Sequence, residues 1–96
     1  MKARIAVTGI GVVSSAGIGK EAFWNSLLNG VPKSGFLIED FDPLPFFDGN
    51  AKEARRADRF QQFALAAAKE AIDQAGDFVI DPTAIGTMIG TGVGGL

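Results

Sequence analysis

The chain has neither cysteine nor histidine among its 96 residues. Those two absences exclude whole classes of chemistry. Without cysteine there is no disulfide framework, no thiolate nucleophile and no thiolate zinc site. Without histidine the commonest general base is missing as well. No apolar run approaches the roughly 18 residues that a membrane helix needs. The apolar stretch after Met1-Lys2-Ala3-Arg4 is broken by Thr8, Gly9 and Gly11, so a signal peptide is not expected and a cytoplasmic location is. A net charge of −2 argues against a generic nucleic-acid binder. What is present in quantity is apolar: 47% of the residues, which excludes disorder in a chain long enough for one small domain.

Residues 4–8 form an apolar run that ends at Gly9, the pattern of a parallel strand covered on both faces. From Lys20 to Asn29 the apolar side chains pair at helical spacing, Phe23 with Leu27 and Trp24 with Leu28. Gly30 supplies a left-handed stop, with Pro32 just beyond it. Residues 31–51 hold Pro32, Pro43 and Pro45 beside Phe36, Phe41, Phe46 and Phe47, which predicts an irregular segment whose aromatic rings must pack on something. A second helix is expected over at least Arg59 to Ala75, with Phe60, Phe63, Ala64, Ala67, Ala71 and Ala75 spaced by three or four. Asp58 followed by Gln61 has the form of a capping box, and Gly76 closes the helix. The run Ala66-Ala67-Ala68 lets neighbours approach closely on more than one side. Asp81-Pro82 then leads into a second expected buried strand, Ile85 to Thr91. The order strand, helix, irregular segment, helix, strand predicts an α/β layered fold with a parallel sheet. Two such strands need helices on both faces and further strands alongside, so the chain is expected to be a fragment.

Three glycine patterns call for chemical readings. Gly9-Ile10-Gly11 after a strand has the start of a dinucleotide fingerprint, but Ser14 stands at the third glycine position and no acidic residue follows at the required distance; a tight strand-to-loop turn fits better. Gly19-Lys20 fails as a phosphate loop, because Glu21 replaces the required Ser or Thr. Gly90-Thr91-Gly92-Val93-Gly94-Gly95 is dense enough to be either a site wall at the carboxyl end of a sheet strand or a plain turn. Ser14 and Ser15 have no evident partner base and read as turn and backbone-bonding residues. Lys52, Arg55, Arg56 and Arg59 lie at i, i+3, i+4 and i+7, on one face if that stretch is helical. Cations near a helix N-terminus oppose its dipole, so a stripe placed there points to an acidic partner; the competing reading is a solvated face balanced by Glu53 and Asp58.

Four stretches together resemble the N-terminal part of a β-ketoacyl-acyl-carrier-protein synthase of the elongating, synthase II-like kind, in the thiolase-like superfamily. They are Val7-Thr8-Gly9-Ile10-Gly11-Val12-Val13-Ser14, Phe23-Trp24-Asn25-Ser26-Leu27-Leu28-Asn29-Gly30, Arg55-Arg56-Ala57-Asp58-Arg59-Phe60 and Ile89-Gly90-Thr91-Gly92-Val93-Gly94-Gly95-Leu96. Phe41-Asp42 also fits. The resemblance implies an α/β, thiolase-like layered α-β-α-β-α fold in which residues 1–96 are the start of the first half, an incomplete part of the N-terminal domain. It implies an acyltransferase that elongates acyl chains in fatty-acid biosynthesis by decarboxylative Claisen condensation, working as a cytoplasmic homodimer without a cofactor or metal. The cysteine and two histidines of that chemistry would lie beyond Leu96, so no residue here is expected to be catalytic.

Two groups of residues do carry over from the resemblance. Lys52, Arg55 and Arg56 match the basic cluster that meets the acidic helix of acyl carrier protein; Arg59 matches less well. Val93 stands at the branched residue that gates the acyl pocket in such enzymes, and its smaller size implies a roomier pocket. The expected partners are acyl carrier protein, acyl and malonyl thioesters and a second copy of the chain, with no nucleic acid and no membrane. The stretch between Asp42 and the basic cluster looks shorter than in relatives, and Ser15-Ala16 replaces a turn that often contains proline. A polyketide ketosynthase and a noncatalytic partner of the chain-length-factor kind are the alternatives. A free-standing binding module fits least, because its glycine-rich end would be left without packing.

Overall fold

The computed structural model describes residues 2–30, 37–38, 40–77 and 80–94. Two helices form its frame, and local signals set their ends. Helix α1 spans Lys20–Asn29 and stops at Gly30, which takes a left-handed conformation (φ 60°) and donates its N–H to the Ser26 carbonyl at 2.9 Å. The long helix, labelled α3 for its place in the chain, spans Arg59–Ala75. At its start the Asp58 N–H donates to Gln61 Oε1 at 2.9 Å, the reciprocal arm of the expected capping box. Gly76 closes it with φ 81°. Pro32, Phe36, Gly95 and Leu96, singled out in the sequence, lie outside the described residues.

Between these helices lies a third that the sequence reading did not separate. A 3-10 turn at Leu44–Phe47 leads into helix α2, Ala51–Arg56, which ends at extended Ala57 before Asp58 begins α3. Asn50 caps α2 by accepting the Glu53 N–H on Oδ1 at 3.2 Å. The phenylalanines of this segment pack together: Phe41 stacks on Phe46 (centroids 5.9 Å apart) and meets Phe63 of α3 edge-on at 5.1 Å. Ahead of α1, β1 (Val13–Ser14) and β2 (Gly17–Ile18) form an antiparallel hairpin, and Ser14 Oγ donates to the Gly17 carbonyl at 3.1 Å. The turn role read for Ser14 is therefore observed.

The two expected long strands are not formed as strands. Among the described residues the only sheet is that short hairpin, and it is antiparallel. Residues 2–8 and 85–91 run without ladder partners. Their apolar side chains face outward: Ile5 is 95% exposed, Val7 83% and Met88 98%. A parallel strand holds its place only between neighbouring strands and under helices, and neither segment has such a setting here. What is observed is a mixed helix and strand unit. Asp81 caps the Pro82–Ala84 turn by accepting the Thr83 N–H at 3.0 Å, and among the described residues those that follow join no sheet. No helix of the described residues is long and apolar enough to cross a membrane.

The core is built from small residues. Among the described residues Ala54 of α2 and Ala66 of α3 are the buried apolar ones, and Gln62 joins them. Segment 9–12 runs along α3 at backbone contact. A Cβ at Gly9 would overlap the Ala71 carbonyl, and one at Gly11 the Ala67 carbonyl. Gly-x-Gly therefore serves close approach to a helix rather than the tight turn read from its sequence. The alternate residues use their amides: Ile10 N–H donates to Gln74 Oε1 at 2.9 Å and Val12 N–H to Glu70 Oε1 at 3.0 Å. Glycines pressed on the helix and amides bound to its polar side chains fix this segment twice over.

Candidate functional site

Lys52, Arg55 and Arg56 all lie on α2 and all are exposed. Among the described residues none of the three forms an ion pair. Arg59 leaves this group. The break at Ala57 places it on the first turn of α3, where its Nη2 donates to the Ile38 carbonyl at 2.8 Å and its guanidinium lies 4.8 Å from the Phe63 ring centre. Arg59 thus ties the aromatic cluster to the chain before it.

The dipole argument for the stripe also changes. Arg55 and Arg56 occupy the last turn of α2, where carbonyl ends favour cations by about 0.3–1 kcal/mol each. Only Lys52, in the first turn and next to Glu53, stands against the dipole. The cations are stabilised locally, so their placement is no evidence of a cost borne for a partner. Their shared exposed surface remains.

Val93 lies in the glycine-rich bend and is 71% exposed. Gly94 N–H donates to Thr91 Oγ1 at 3.1 Å, which folds the bend over, and Gly94 adopts φ 66°. Ile89, just before it, lines an open apolar groove of about 490 Å³ together with Phe47, Phe60 and Leu65. The described part of the bend therefore turns beside an apolar groove, while Val93 itself stands outside the groove lining.

Glu70 and Gln74 were not singled out in the sequence, although their i, i+4 spacing puts both on one helix face. Glu70 also holds the start of α1, whose N-cap is Gly19 with no capping side chain. Its Oε2 accepts the Lys20 N–H at 2.8 Å, and the Lys20 ammonium lies 3.7 Å from the same oxygen. A carboxylate from α3 thus does for α1 what an N-cap residue would. The amides of Lys20 and then Val12, with the Lys20 charge, hold the Glu70 carboxyl below its ordinary range against a smaller effect of burial. A carboxyl with a lowered folded pKa adds stability above the ordinary carboxylate range and loses it as pH falls through the folded value. Glu70→Gln should therefore lower stability by ~1–2 kcal/mol at neutral pH. In urea unfolding the gap from the parent should close as the solution is acidified; a gap independent of pH would mean that the charge plays no part.

The family model for the beta-ketoacyl synthase N-terminal domain matches residues 32–96, more than half of the chain. The chain belongs to the beta-ketoacyl synthase family. Similar curated proteins include a 3-oxoacyl-(acyl-carrier-protein) synthase 2 of Synechocystis, 35% identical, and one of Vibrio harveyi, 37% identical. A protein named polyketide beta-ketoacyl synthase 1, from Streptomyces cyaneus, is 42% identical. Each alignment covers 99% of this chain and 26% of the relative, so this synthase-family chain spans about a quarter of the length of the relatives it matches. The alignments run to 112 residues against a chain of 96, so these synthases carry residues with no counterpart here. No solved structure matches the chain at a significant level.

Proposed function

We propose that this chain is the N-terminal part of the thiolase-like domain of a condensing acyltransferase, which lengthens acyl chains in fatty-acid synthesis. Family membership over residues 32–96 carries the reading, and the names of the synthase 2 relatives supply its substrate class. In the reaction the acyl group passes from its carrier to the enzyme. The malonyl unit then loses carbon dioxide, and the resulting carbanion attacks the acyl thioester carbonyl. A carbon–carbon bond forms, the carbon–sulfur bond breaks and the enzyme's thiolate leaves. This chain's part is delivery and shape: Lys52, Arg55 and Arg56 meet acidic acyl carrier protein, and Val93 forms part of the acyl-pocket wall.

The layered α-β-α-β-α arrangement belongs to the same proposal. In it the outward-facing Ile5, Val7, Ile85 and Met88 become strand residues buried between layers. The complete enzyme is proposed to act as a cytoplasmic homodimer. A second reading, a polyketide ketosynthase, is favoured by the Streptomyces relatives, which at 40% and 42% identity exceed the 35% and 37% of the Synechocystis and Vibrio harveyi synthases.

One assay tests the reading and the wall together. The complete synthase, given acyl-carrier and malonyl-carrier protein, should yield a β-ketoacyl thioester one malonyl-derived unit longer, read by mass spectrometry. Val93→Phe should shorten the longest acyl chain accepted; an unaltered profile would remove Val93 from the pocket. A poly-β-keto product would favour the second reading, and no condensation at all would leave only the noncatalytic partner role.

A further inference from the structure

Helix α2 is six residues long, too short to keep its shape alone in water. A docking surface carried on it needs support from elsewhere, and three contacts supply this. Asn50 caps its first turn, and Ala54 is buried in its middle. The third contact comes from α3. Gln62, only 8% exposed, donates from Nε2 to the Ala54 carbonyl at 2.8 Å and, more weakly, to the Ala57 carbonyl at 3.4 Å.

The last carbonyls of a helix have no partner within it. Here one carboxamide from the next helix serves two of them, and Arg55 and Arg56 lie between those two carbonyls in sequence. We propose that Gln62 is a positioning residue for carrier docking, its buried amide locking the last turn of α2 so that Arg55 and Arg56 form a preset pair for an acidic partner. The inference rests on the docking reading above. The carboxamide is specific to the task. Its N–H donors suit carbonyl acceptors; a carboxylate would face them with like charge, and a thioether of similar length would leave them unbonded. Presetting the pair removes an ordering cost that a free, fraying turn would bear at each encounter.

The test compares Gln62→Met with the parent in the complete synthase, using acyl-carrier protein and a small acyl thioester as alternative substrates. KM for the carrier substrate should rise roughly three- to tenfold with kcat unchanged, and kinetics on the small thioester should hold. Adding Arg55→Glu and Arg56→Glu to Gln62→Met should then cost less than it does in the parent, because an unlocked pair has less to lose. Equal loss on both substrates would make Gln62 a stability residue and overturn the proposal. So would an unchanged KM while the arginine variants remain impaired, and in that case the docking reading itself would stand. If the arginine variants lose nothing with carrier protein, docking on α2 fails and the positioning role falls with it. Gln62→Asn, which keeps the amide but shortens its reach, provides the same comparison should Gln62→Met not fold.

Discussion

Gly11→Val should destabilise the fold by ~3–5 kcal/mol, while Gly86→Val should stay within ~0.5 kcal/mol of the parent. The two sites differ in what a side chain would meet. A Cβ at Gly11 runs into the Ala67 carbonyl of α3, whereas one at Gly86 has nothing within 4 Å. Overpacking alone costs about 1–3 kcal/mol when the neighbours can move. At Gly11 they cannot move freely, because the flanking Ile10 and Val12 amides are bound to Gln74 and Glu70. Lifting the segment off the helix to admit a side chain breaks those bonds, and leaving their partners unmet adds about 1–3 kcal/mol. Urea midpoints of the two variants decide the matter. Equal midpoints would mean that segment 9–12 does not lie against α3.

That contact shows where sequence reading stops. Helices α1 and α3 were legible to their ends because the signals are local. Apolar spacing within each helix, Asp58 with Gln61 at one start and Gly30 and Gly76 at the stops all lie within a few residues of what they govern. The Gly-x-Gly contact is not of that kind. Its glycines meet Ala67 and Ala71, and its amides meet side chains 58 and 64 positions along the chain. The spacing of Glu70 and Gln74 marks one helix face, but no periodicity says that a glycine segment lies upon it.

Helix α2 was within reach and was passed over. Asn50 with Glu53 three residues later has the form of a helix start, and the structure uses it as one. Prolines and phenylalanines before it read as an irregular segment over residues 31–51, and the stretch from there to Asp58 reads only as helical or not, without ends of its own. Arg59 was then grouped with Lys52, Arg55 and Arg56 by spacing that assumes one unbroken helix, and the extended Ala57 breaks it. The two expected strands failed for a different reason. Pairing and cover decide whether an apolar run becomes a strand, and both come from other segments. Lys52, Arg55 and Arg56 share one short helix; that they dock a carrier is a proposal that rests on resemblance to the family.

Reversing Arg55 and Arg56 together to Glu should reduce kcat/KM for acyl-carrier substrates by ~10–100-fold in the complete synthase, with small acyl thioesters nearly unaffected. Each reversal replaces attraction for an acidic carrier by repulsion, and both sites are exposed, so the effect is on encounter rather than on the chemical step. It should shrink as ionic strength rises, since exposed charges are screened beyond about 8–10 Å at ordinary salt. Fraying complicates the variant, because Glu in the last turn of α2 opposes a dipole that the arginines now complement, at about 0.3–1 kcal/mol per residue. Replacing both by Gln removes the attraction without adding repulsion or an unfavourable charge at that end. Docking by charge predicts a graded series in which Arg is best, Gln intermediate and Glu worst, and in which the series flattens in high salt. A loss that is the same for Gln and Glu and insensitive to salt would come from the helix losing its shape. A loss equal on carrier and small substrates would take the docking role away from α2 altogether.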